Sequence, residues 1–283
     1  MIKAYYMLTK PGILFGNIIT TAGGFALASK GHMDPWLFLA TLIGLCCIIG
    51  AACVFNNYTD RHYDEKMERT KNRALVKGII SLKSALAFGL LLAILGVTTL
   101  FVYTNLLTTA IALTGFFFYV VMYSFWKYRS TYGTLVGSVA GALPPVIGYC
   151  AVSNQFDMGA FLLFAILILW QMPHFYAIAM FRLKDYAAAS IPVLPVKKGM
   201  HVTKIHMLLY TIAFIPTSLL LIVFGYTGYT YLAVTSIVGL AWLYLCIKGF
   251  KTDNDARWAR TMFRFSLVVI MSLSLMLGIN SYI

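Results

Sequence analysis

Residues 36–57 read WLFLATLIGLCCIIGAACVFNN, and residues 58–73 continue as YTDRHYDEKMERTKNR. The first stretch is continuously apolar and long enough for an α-helix to cross a hydrocarbon core of roughly 30 Å. A strand of a membrane barrel would instead be about 10 residues long with alternating polarity. The sequence therefore predicts a membrane-spanning helix that leads directly into a charged segment.

Similar apolar runs recur along the chain, and together they predict nine transmembrane helices. We therefore expect an all-α polytopic membrane protein, a bundle of nine helices in one domain over 1–283, with active-site loops on the cytoplasmic side. The predicted spans are 12–29, 36–57, 84–104, 106–126, 133–152, 160–181, 204–224, 228–248 and 262–282.

Composition excludes a water-soluble protein, because 60% of the 283 residues are hydrophobic and 11% are charged, against about 25% charged in soluble domains. The net charge of +13 alone fits either nucleic acid or an anionic membrane surface as a partner. All basic residues except Lys30 fall on one side of the predicted spans, which the positive-inside rule assigns to the cytoplasm. We therefore predict a membrane protein with its N-terminus inside, its C-terminus outside and no nucleic-acid partner.

Two long loops, 58–83 and 182–203, lie on the predicted cytoplasmic side. Loops of this length are usually functional or disordered, and their polar content favours function here. The five cysteines all fall within apolar spans without a C-x-x-C pair, which predicts packed free thiols rather than disulfides or a zinc site.

Oxygen-bearing side chains follow one helical face at the end of the second span. Asn56, Asp60 and Asp64 are spaced i, i+4 and i+8, so a continuing helix would align them over about 12 Å. Mg²⁺ prefers oxygen ligands and completes its octahedron with water and phosphate oxygens. The spacing predicts a site for Mg²⁺ ions that carry a diphosphate, whereas Glu65 is expected to form solvated ion pairs at the helix end.

Basic residues follow the acidic face closely. Arginine binds phosphate through two donors at once, so Arg69 and Arg73 are candidates for holding a diphosphate. The alternative is simple anchoring of cations at the cytoplasmic interface. The full set of predicted diphosphate-binding residues is Arg69, Lys71, Arg73, Lys77, Arg182 and Lys184.

The end of the sixth span reads WQMPHFY over residues 170–176. Pro173 predicts a kink that opens space in the bundle, and His174 follows it. A membrane histidine either bonds a neighbouring helix or performs acid–base chemistry or metal ligation, and both interpretations stay open. Asp185, the acid of the 182–203 loop, is expected to complete a second metal position.

The Asp-rich pattern resembles that of the intramembrane prenyltransferase superfamily named for 4-hydroxybenzoate polyprenyltransferase, whose members have nine helices and two aspartate-rich loops. The match to the first motif comprises Asn56, Asp60, Asp64, Arg69, Thr70 and Arg73. Asn57 stands where aspartate is common, which makes it a doubtful ligand. The second motif is usually D-x-x-x-D, but this chain has Asp185 followed by Ala189.

Several further stretches resemble the branch of that superfamily that farnesylates haem. The resemblance implies transfer of the farnesyl group of farnesyl diphosphate to a vinyl group of haem B, with addition of water, and Mg²⁺ as cofactor. It also implies a place in haem O and haem A biosynthesis for respiratory oxidases, and a complex with a downstream haem-modifying enzyme. The matching stretches are 9–12 (TKPG), 56–58 (NNY), 141–149 (GALPPVIGY), 170–175 (WQMPHF) and 191–196 (IPVLPV).

Residue roles follow from that resemblance. It implies Asp60, Asp64, Arg73 and His174 as catalytic residues, with His174 binding haem. The predicted metal ligands are Asn56, Asp60, Asp64 and Asp185, and the aromatic candidates for stabilising an allylic cation are Tyr119, Tyr123, Phe175 and Tyr176. Two rivals remain: a related prenyltransferase with an aromatic quinone-precursor acceptor, and a secondary transporter, which would be expected to show internal repeats and broken midplane helices.

Overall fold

The computed structural model describes residues 1–279, and the regular structure within this range is helical. The helices are α1 (Ile2–Leu8), α2 (Pro11–Ser29), α3 (Pro35–Asp64), α4 (Leu82–Tyr103), α5 (Leu106–Phe117), α6 (Ser124–Lys127), α7 (Gly133–Ser153), α8 (Met158–Phe181), α9 (Leu183–Ala188), α10 (Leu194–Val223), α11 (Tyr229–Lys248) and α12 (Asp255–Ile279). A π-helical segment, Phe118–Tyr123, joins α5 to α6, and a 3₁₀ turn, Gly249–Lys251, follows α11.

Nine helical stretches within residues 1–279 are long and apolar enough to cross a membrane. They are α2, α3, α4, the combined stretch Leu106–Lys127, α7, α8, α10, the stretch Tyr229–Lys251 and α12. The predicted all-α fold with nine spans is therefore confirmed, and the protein is an integral membrane protein. The five cysteines are free, as the sequence predicts.

Three predicted boundaries were wrong. The helix of the second span, predicted at 36–57, continues to Asp64, and the helix of the ninth, predicted at 262–282, begins at Asp255. The predicted end of the ninth span at 282 lies outside the described residues. The loop predicted at 182–203 contains α9 and the first turns of α10, which break at Gly199, where φ is 80°. The length of an apolar run predicts only the part of a helix that lies inside the bilayer. The helix itself can continue into polar residues, because its backbone hydrogen bonds do not depend on an apolar sequence.

Small residues let α2 and α7 pack with their backbones close together. A Cβ atom added at Gly24 would lie 2.0 Å from the Pro145 carbonyl oxygen, and one added at Gly148 would lie 2.1 Å from the Thr21 carbonyl oxygen. Close approach of this kind is how helices associate inside a bilayer, where burial of apolar side chains gives little advantage over lipid. Pro145, the second of the paired prolines of α7, thus lies at its contact with α2.

The stretches that resemble the haem-farnesylating branch also pack against one another. The Gln171 side chain donates to the Ser138 carbonyl oxygen at 3.1 Å and occupies the space beside Gly141. The indole nitrogen of Trp170 donates to the Ser266 carbonyl oxygen at 2.8 Å. These bonds join α8 to α7 on one side and to α12 on the other.

Candidate active site

The C-terminal end of α3 carries the predicted face of oxygen-bearing side chains. Asn56, Asp60 and Asp64 are all buried, with 2 to 3% of each residue exposed. Glu65 is exposed, and the exposed Glu68 carboxylate pairs with Lys71 at 2.7 Å. The structure therefore separates three buried oxygen-bearing residues from acids that face water.

Each of the three buried residues contacts a different cation. The Lys127 ammonium donates to Asp60 Oδ2 at 2.6 Å, and the Arg73 guanidinium donates to Asp64 Oδ2 at 2.5 Å. The Lys10 ammonium donates to Asn56 Oδ1. Two carboxylates thus share one site with three cations, which leaves a positive excess that favours an anionic ligand.

Lys10 was missing from the predicted site, although it precedes Pro11 at the start of the first span. Its backbone is left-handed, with φ 53°, which is uncommon for a residue other than glycine and occurs often at functional sites. Burial lowers the pKa of Lys10 to about 8. The sequence signal was its place in the stretch 9–12 (TKPG), but positive-inside anchoring also explained a lysine just before the first span.

Lys127 and Tyr128 were also missed. The Tyr128 hydroxyl donates to Asp60, and burial raises the pKa of this phenol above its ordinary range, so it remains a donor. The Lys127 ammonium lies 5.5 Å from the centre of the Tyr123 ring. Both residues come from the end of a span more than sixty residues away from Asp60, and no local sequence pattern connects them.

A π-helical segment, Phe118–Tyr123, shapes the wall of the site. Tyr119 stacks on Tyr123 with 5.6 Å between ring centres, and a Cβ atom at Gly137 would come within 2.8 Å of the Tyr123 ring. π-helical turns occur frequently at functional sites because they shift the register of the side chains that follow. Two of the four predicted aromatic candidates, Tyr119 and Tyr123, therefore lie beside Lys127.

The segment after α8 packs against the segment that follows α3. Met67, Ala189 and Ile191 form a buried cluster, with Tyr128 stacked on Tyr63 beside it at 3.6 Å. Ala189, where the family motif has aspartate, has 1% of its surface exposed among these apolar neighbours. An apolar residue at this position therefore suits its packing in this chain.

Asp185 and the predicted diphosphate-binding cations differ in their burial and in their partners. The Asp185 carboxylate is mostly buried and lies 3.9 Å from the Arg182 guanidinium. Arg73 is the predicted diphosphate-binding residue that bonds directly to the buried acids. The remaining five are Arg69, Lys77, Arg182 and Lys184, which are exposed, and Lys71, which pairs with Glu68.

His174 lies between α8 and α12, and α8 continues as a helix through Pro173. Its ring stacks on Trp170 at 4.8 Å and lies 5.0 Å from the Phe263 ring. Its Nδ1 atom is 2.7 Å from Ser266 Oγ, which itself donates to the Phe263 carbonyl oxygen at 2.6 Å. A serine proton used in that bond favours the tautomer with the histidine proton on Nδ1 and a lone pair on Nε2.

The side chains at the end of α3 fit a magnesium ion by their chemistry. Carboxylate oxygens of Asp60 and Asp64 and the amide oxygen of Asn56 are hard ligands, and Asn56 Nδ2 is buried without a hydrogen-bond partner. Residues 1–279 contain no cluster of three or more His, Cys, Asp or Glu side chains suited to a metal, so phosphate and water would supply the other ligands. The amide nitrogen of Asn57 instead donates to the carbonyl oxygens of Leu8 and Cys53, at 2.9 Å each.

Comparisons with known proteins identify a family and several similar sequences. Residues 17–268 match the model of the UbiA prenyltransferase family. Protoheme IX farnesyltransferase from Protochlamydia amoebophila (strain UWE25) is 57% identical over 97% of both chains. The protein of the same name from Edwardsiella ictaluri (strain 93-146) is 54% identical over 99% of this chain and 95% of its own.

Solved structures share the fold at much lower identity. A digeranylgeranylglyceryl phosphate synthase superposes with a TM-score of 0.82 at 18% identity, covering 99% of this chain and 98% of its own. A UbiA homolog from Archaeoglobus fulgidus bound to GPP and Mg²⁺ superposes with a TM-score of 0.70 at 13% identity, covering 97% and 99%. The arrangement of nine helices is therefore common to these proteins.

Proposed function

The chain belongs to the UbiA prenyltransferase family, and on this premise we propose that it transfers the farnesyl group of farnesyl diphosphate to a vinyl group of haem B. The products are haem O and diphosphate. The observation that carries the proposal is the buried cluster of Asp60 and Asp64 with Lys10, Arg73 and Lys127. The acceptor is taken from the names of relatives that are 54 to 57% identical over nearly the whole chain.

The diphosphate binds at the cation excess of this cluster. Mg²⁺ held by Asp60 and Asp64, with oxygen from Asn56 and Asp185, would neutralise charge on the departing diphosphate. Those carboxylates bond to Lys127 and Arg73, and with Mg²⁺ bound to the carboxylates both cations would be available to phosphate oxygens. Arg69 lies on the same segment and adds a second guanidinium for the outer phosphate.

The reaction breaks the bond between the allylic carbon and the diphosphate oxygen, and the electron pair leaves with the diphosphate. The vinyl group of haem supplies the electron pair for the new carbon–carbon bond. Water then adds to the cation left on the haem side chain and releases a proton. Tyr119 and Tyr123 present ring faces beside the site, which stabilise the allylic cation before bulk water can capture it.

His174 is the proposed iron ligand for haem. Its Nδ1–H bond to Ser266 leaves Nε2 unprotonated, which is the form that ligates iron. A hydrogen bond from the other ring nitrogen fixes the orientation of ligating histidines in metal sites. We propose that haem enters beside α8 and α12, where this ring lies among aromatic neighbours.

The proposed function includes a membrane location and an orientation. We propose that the active-site loops lie on the cytoplasmic side of a bacterial inner membrane, with the N-terminus inside, and the basic residues that flank the spans support this orientation. Dependence on Mg²⁺ follows from the proposed ligand set. A complex with a downstream haem-modifying enzyme stays a prediction.

Turnover by the purified protein in lipid nanodiscs tests the proposed function. With radiolabelled farnesyl diphosphate, Mg²⁺ and haem B, we expect label in a haem product that separates from haem B on reversed-phase chromatography. Mesohaem, which carries ethyl groups in place of the vinyl groups, is the matched control and should remain unlabelled. Chelation of Mg²⁺ should abolish labelling, and its return should restore it.

A different labelled product would overturn the acceptor assignment. If an aromatic hydroxy acid takes up label and haem B does not, the protein is a prenyltransferase of a quinone precursor. If neither acceptor takes up label with Mg²⁺ present, prenyl transfer itself is rejected.

A further inference from the structure

We propose that Arg182 and Arg260 bind the two propionate carboxylates of haem, an inference that rests on the proposed function. Both guanidinium groups lie over the same aromatic ring, that of Phe181, at 5.6 Å and 5.9 Å from its centre. Arg182 caps the cytoplasmic end of α8, and Arg260 lies in the second turn of α12. Two helices thus bring two exposed guanidinium groups to one point.

Neither guanidinium group has a carboxylate within hydrogen-bond distance in the part of the chain that the structure describes. The carboxylate nearest to Arg182 is that of Asp185 at 3.9 Å, and the Arg182 side chain remains 45% exposed. Ion pairs within residues 1–279 do not include Arg260. Lys204 on the neighbouring α10 differs, because it pairs with Asp255 at 2.5 Å.

Arginine suits this ligand because its planar fork matches a carboxylate with two parallel hydrogen bonds. A pair of such forks at the membrane interface is a site for a dicarboxylate with an apolar body. Haem has that chemistry, since both propionates lie on one edge of a flat apolar macrocycle and both vinyl groups lie away from that edge.

A continuous aromatic surface leads from the two arginines to His174. Phe181 contacts Phe263 at 5.7 Å between ring centres, and Phe263 contacts His174 at 5.0 Å. Along α12, the rise from Arg260 to Ser266, the partner of His174, is about 9 Å. This is the order of the separation between the iron and the carboxylates of a porphyrin.

Bound in this orientation, haem presents its vinyl edge to the farnesyl chain. With the carboxylates at Arg182 and Arg260 and the iron at His174, the vinyl edge lies deeper in the apolar interior. The farnesyl chain also occupies that interior, so the reacting carbons approach each other away from bulk water. The assignment moves Arg182 from the diphosphate site, where the sequence placed it, to the acceptor site.

Binding of haem B and of its dimethyl ester provides the test, because esterification removes both negative charges and leaves the macrocycle, its iron and its vinyl groups unchanged. In nanodiscs of neutral phosphatidylcholine, followed by haem absorbance, we expect the wild-type protein to bind haem B at least about tenfold more tightly than the ester, as expected for charge-assisted hydrogen bonds. The double variant Arg182→Gln/Arg260→Gln should bind haem B only as tightly as the ester. Its KM for haem B should rise while its KM for farnesyl diphosphate stays unchanged.

Arg257→Gln is the matched control, since Arg257 is an exposed arginine one turn before Arg260 on the same helix. It should preserve the preference for haem B over the ester. Equal binding of haem B and ester by the wild-type protein, or an unchanged preference in the double variant, would overturn the inference.

An anionic lipid phosphate offers the same charge as a carboxylate, so a second arm uses nanodiscs with phosphatidylglycerol. If the double variant keeps the preference for haem B and loses only a dependence on phosphatidylglycerol, the arginines bind lipid and the inference is overturned. Failure of the wild-type protein to convert haem B would instead reject the proposed function. Turnover of haem B together with an unchanged preference in the double variant would reject only this inference.

Discussion

Asp60 and Glu65 are five residues apart but meet opposite environments, and this difference decides what each can do. Asp60 is buried against Lys127 and Tyr128, whereas Glu65 is exposed. We expect Asp60→Asn and Asp64→Asn each to lower kcat by about 10²-fold or more, as when charge stabilisation of a transition state is removed. Glu65→Gln should stay within about twofold of wild type, because exposed ion pairs contribute little.

Initial rates in nanodiscs at saturating haem measure this difference, and thermal unfolding of each variant separates loss of chemistry from loss of structure. Asparagine retains an oxygen that can accept from Lys127 or Arg73, so folded protein should accumulate in the membrane. A similar loss in all three variants would indicate that this end of α3 serves folding.

A second prediction concerns His174, because iron ligation and interhelical hydrogen bonding have different spectroscopic consequences. If Nε2 ligates iron, His174→Ala should shift or remove the haem absorption bands of the bound state and weaken haem binding by about tenfold or more. Farnesyl diphosphate affinity should stay nearly unchanged. Lower thermal stability with an unaltered haem spectrum per folded molecule would reduce His174 to a partner of Ser266.

The contact between α2 and α7 allows a prediction about a whole element. Gly24→Ala would place a methyl group 2.0 Å from the Pro145 carbonyl oxygen, so the two helices must separate. Overpacking of this kind typically costs about 1–3 kcal/mol. Gly16→Ala on the same helix is the matched control, since a methyl there meets no described atom within 4 Å, and alanine favours the helix.

Thermal unfolding in detergent, followed by tryptophan fluorescence, compares the two variants. Gly24→Ala should lower the midpoint temperature, and Gly16→Ala should leave it unchanged or raise it. Equal midpoints for the two variants would mean that α2 and α7 adjust without cost, and that their close contact is not a source of stability.

Hydropathy predicts the nine spans because crossing a bilayer imposes a length and an apolar composition on each helix separately. Hydropathy does not predict α9, which is short and carries charged residues. It also does not predict the π-helical segment, which is a local change of helical register inside an apolar span. The buried acids could be predicted from their spacing on α3. Lys10 and Lys127 could not, because they reach Asn56 and Asp60 from other helices across 46 and 67 residues of sequence.

The distribution of basic residues predicts how the whole molecule is oriented in the membrane. That orientation determines which compartment supplies the substrates. All basic residues except Lys30 belong to segments on the side of the molecule that carries Asp60 and Asp64. Positive residues flanking spans are retained in the cytoplasm. Farnesyl diphosphate should therefore reach the site from the cytoplasm, and the opposite face should lack access to it.

Cysteine labelling in intact cells tests this orientation. Lys77→Cys and Lys184→Cys lie at exposed positions on the predicted inner side, and Gln155→Cys and Tyr229→Cys lie at exposed positions on the outer side. An impermeant thiol reagent should modify the outer pair in whole cells and the inner pair only after lysis. The parent protein controls for its five natural cysteines, which lie within the spans. Labelling of the inner pair in intact cells would invert the orientation and place Asp60 and Asp64 on the outer side, where the diphosphate would have to bind.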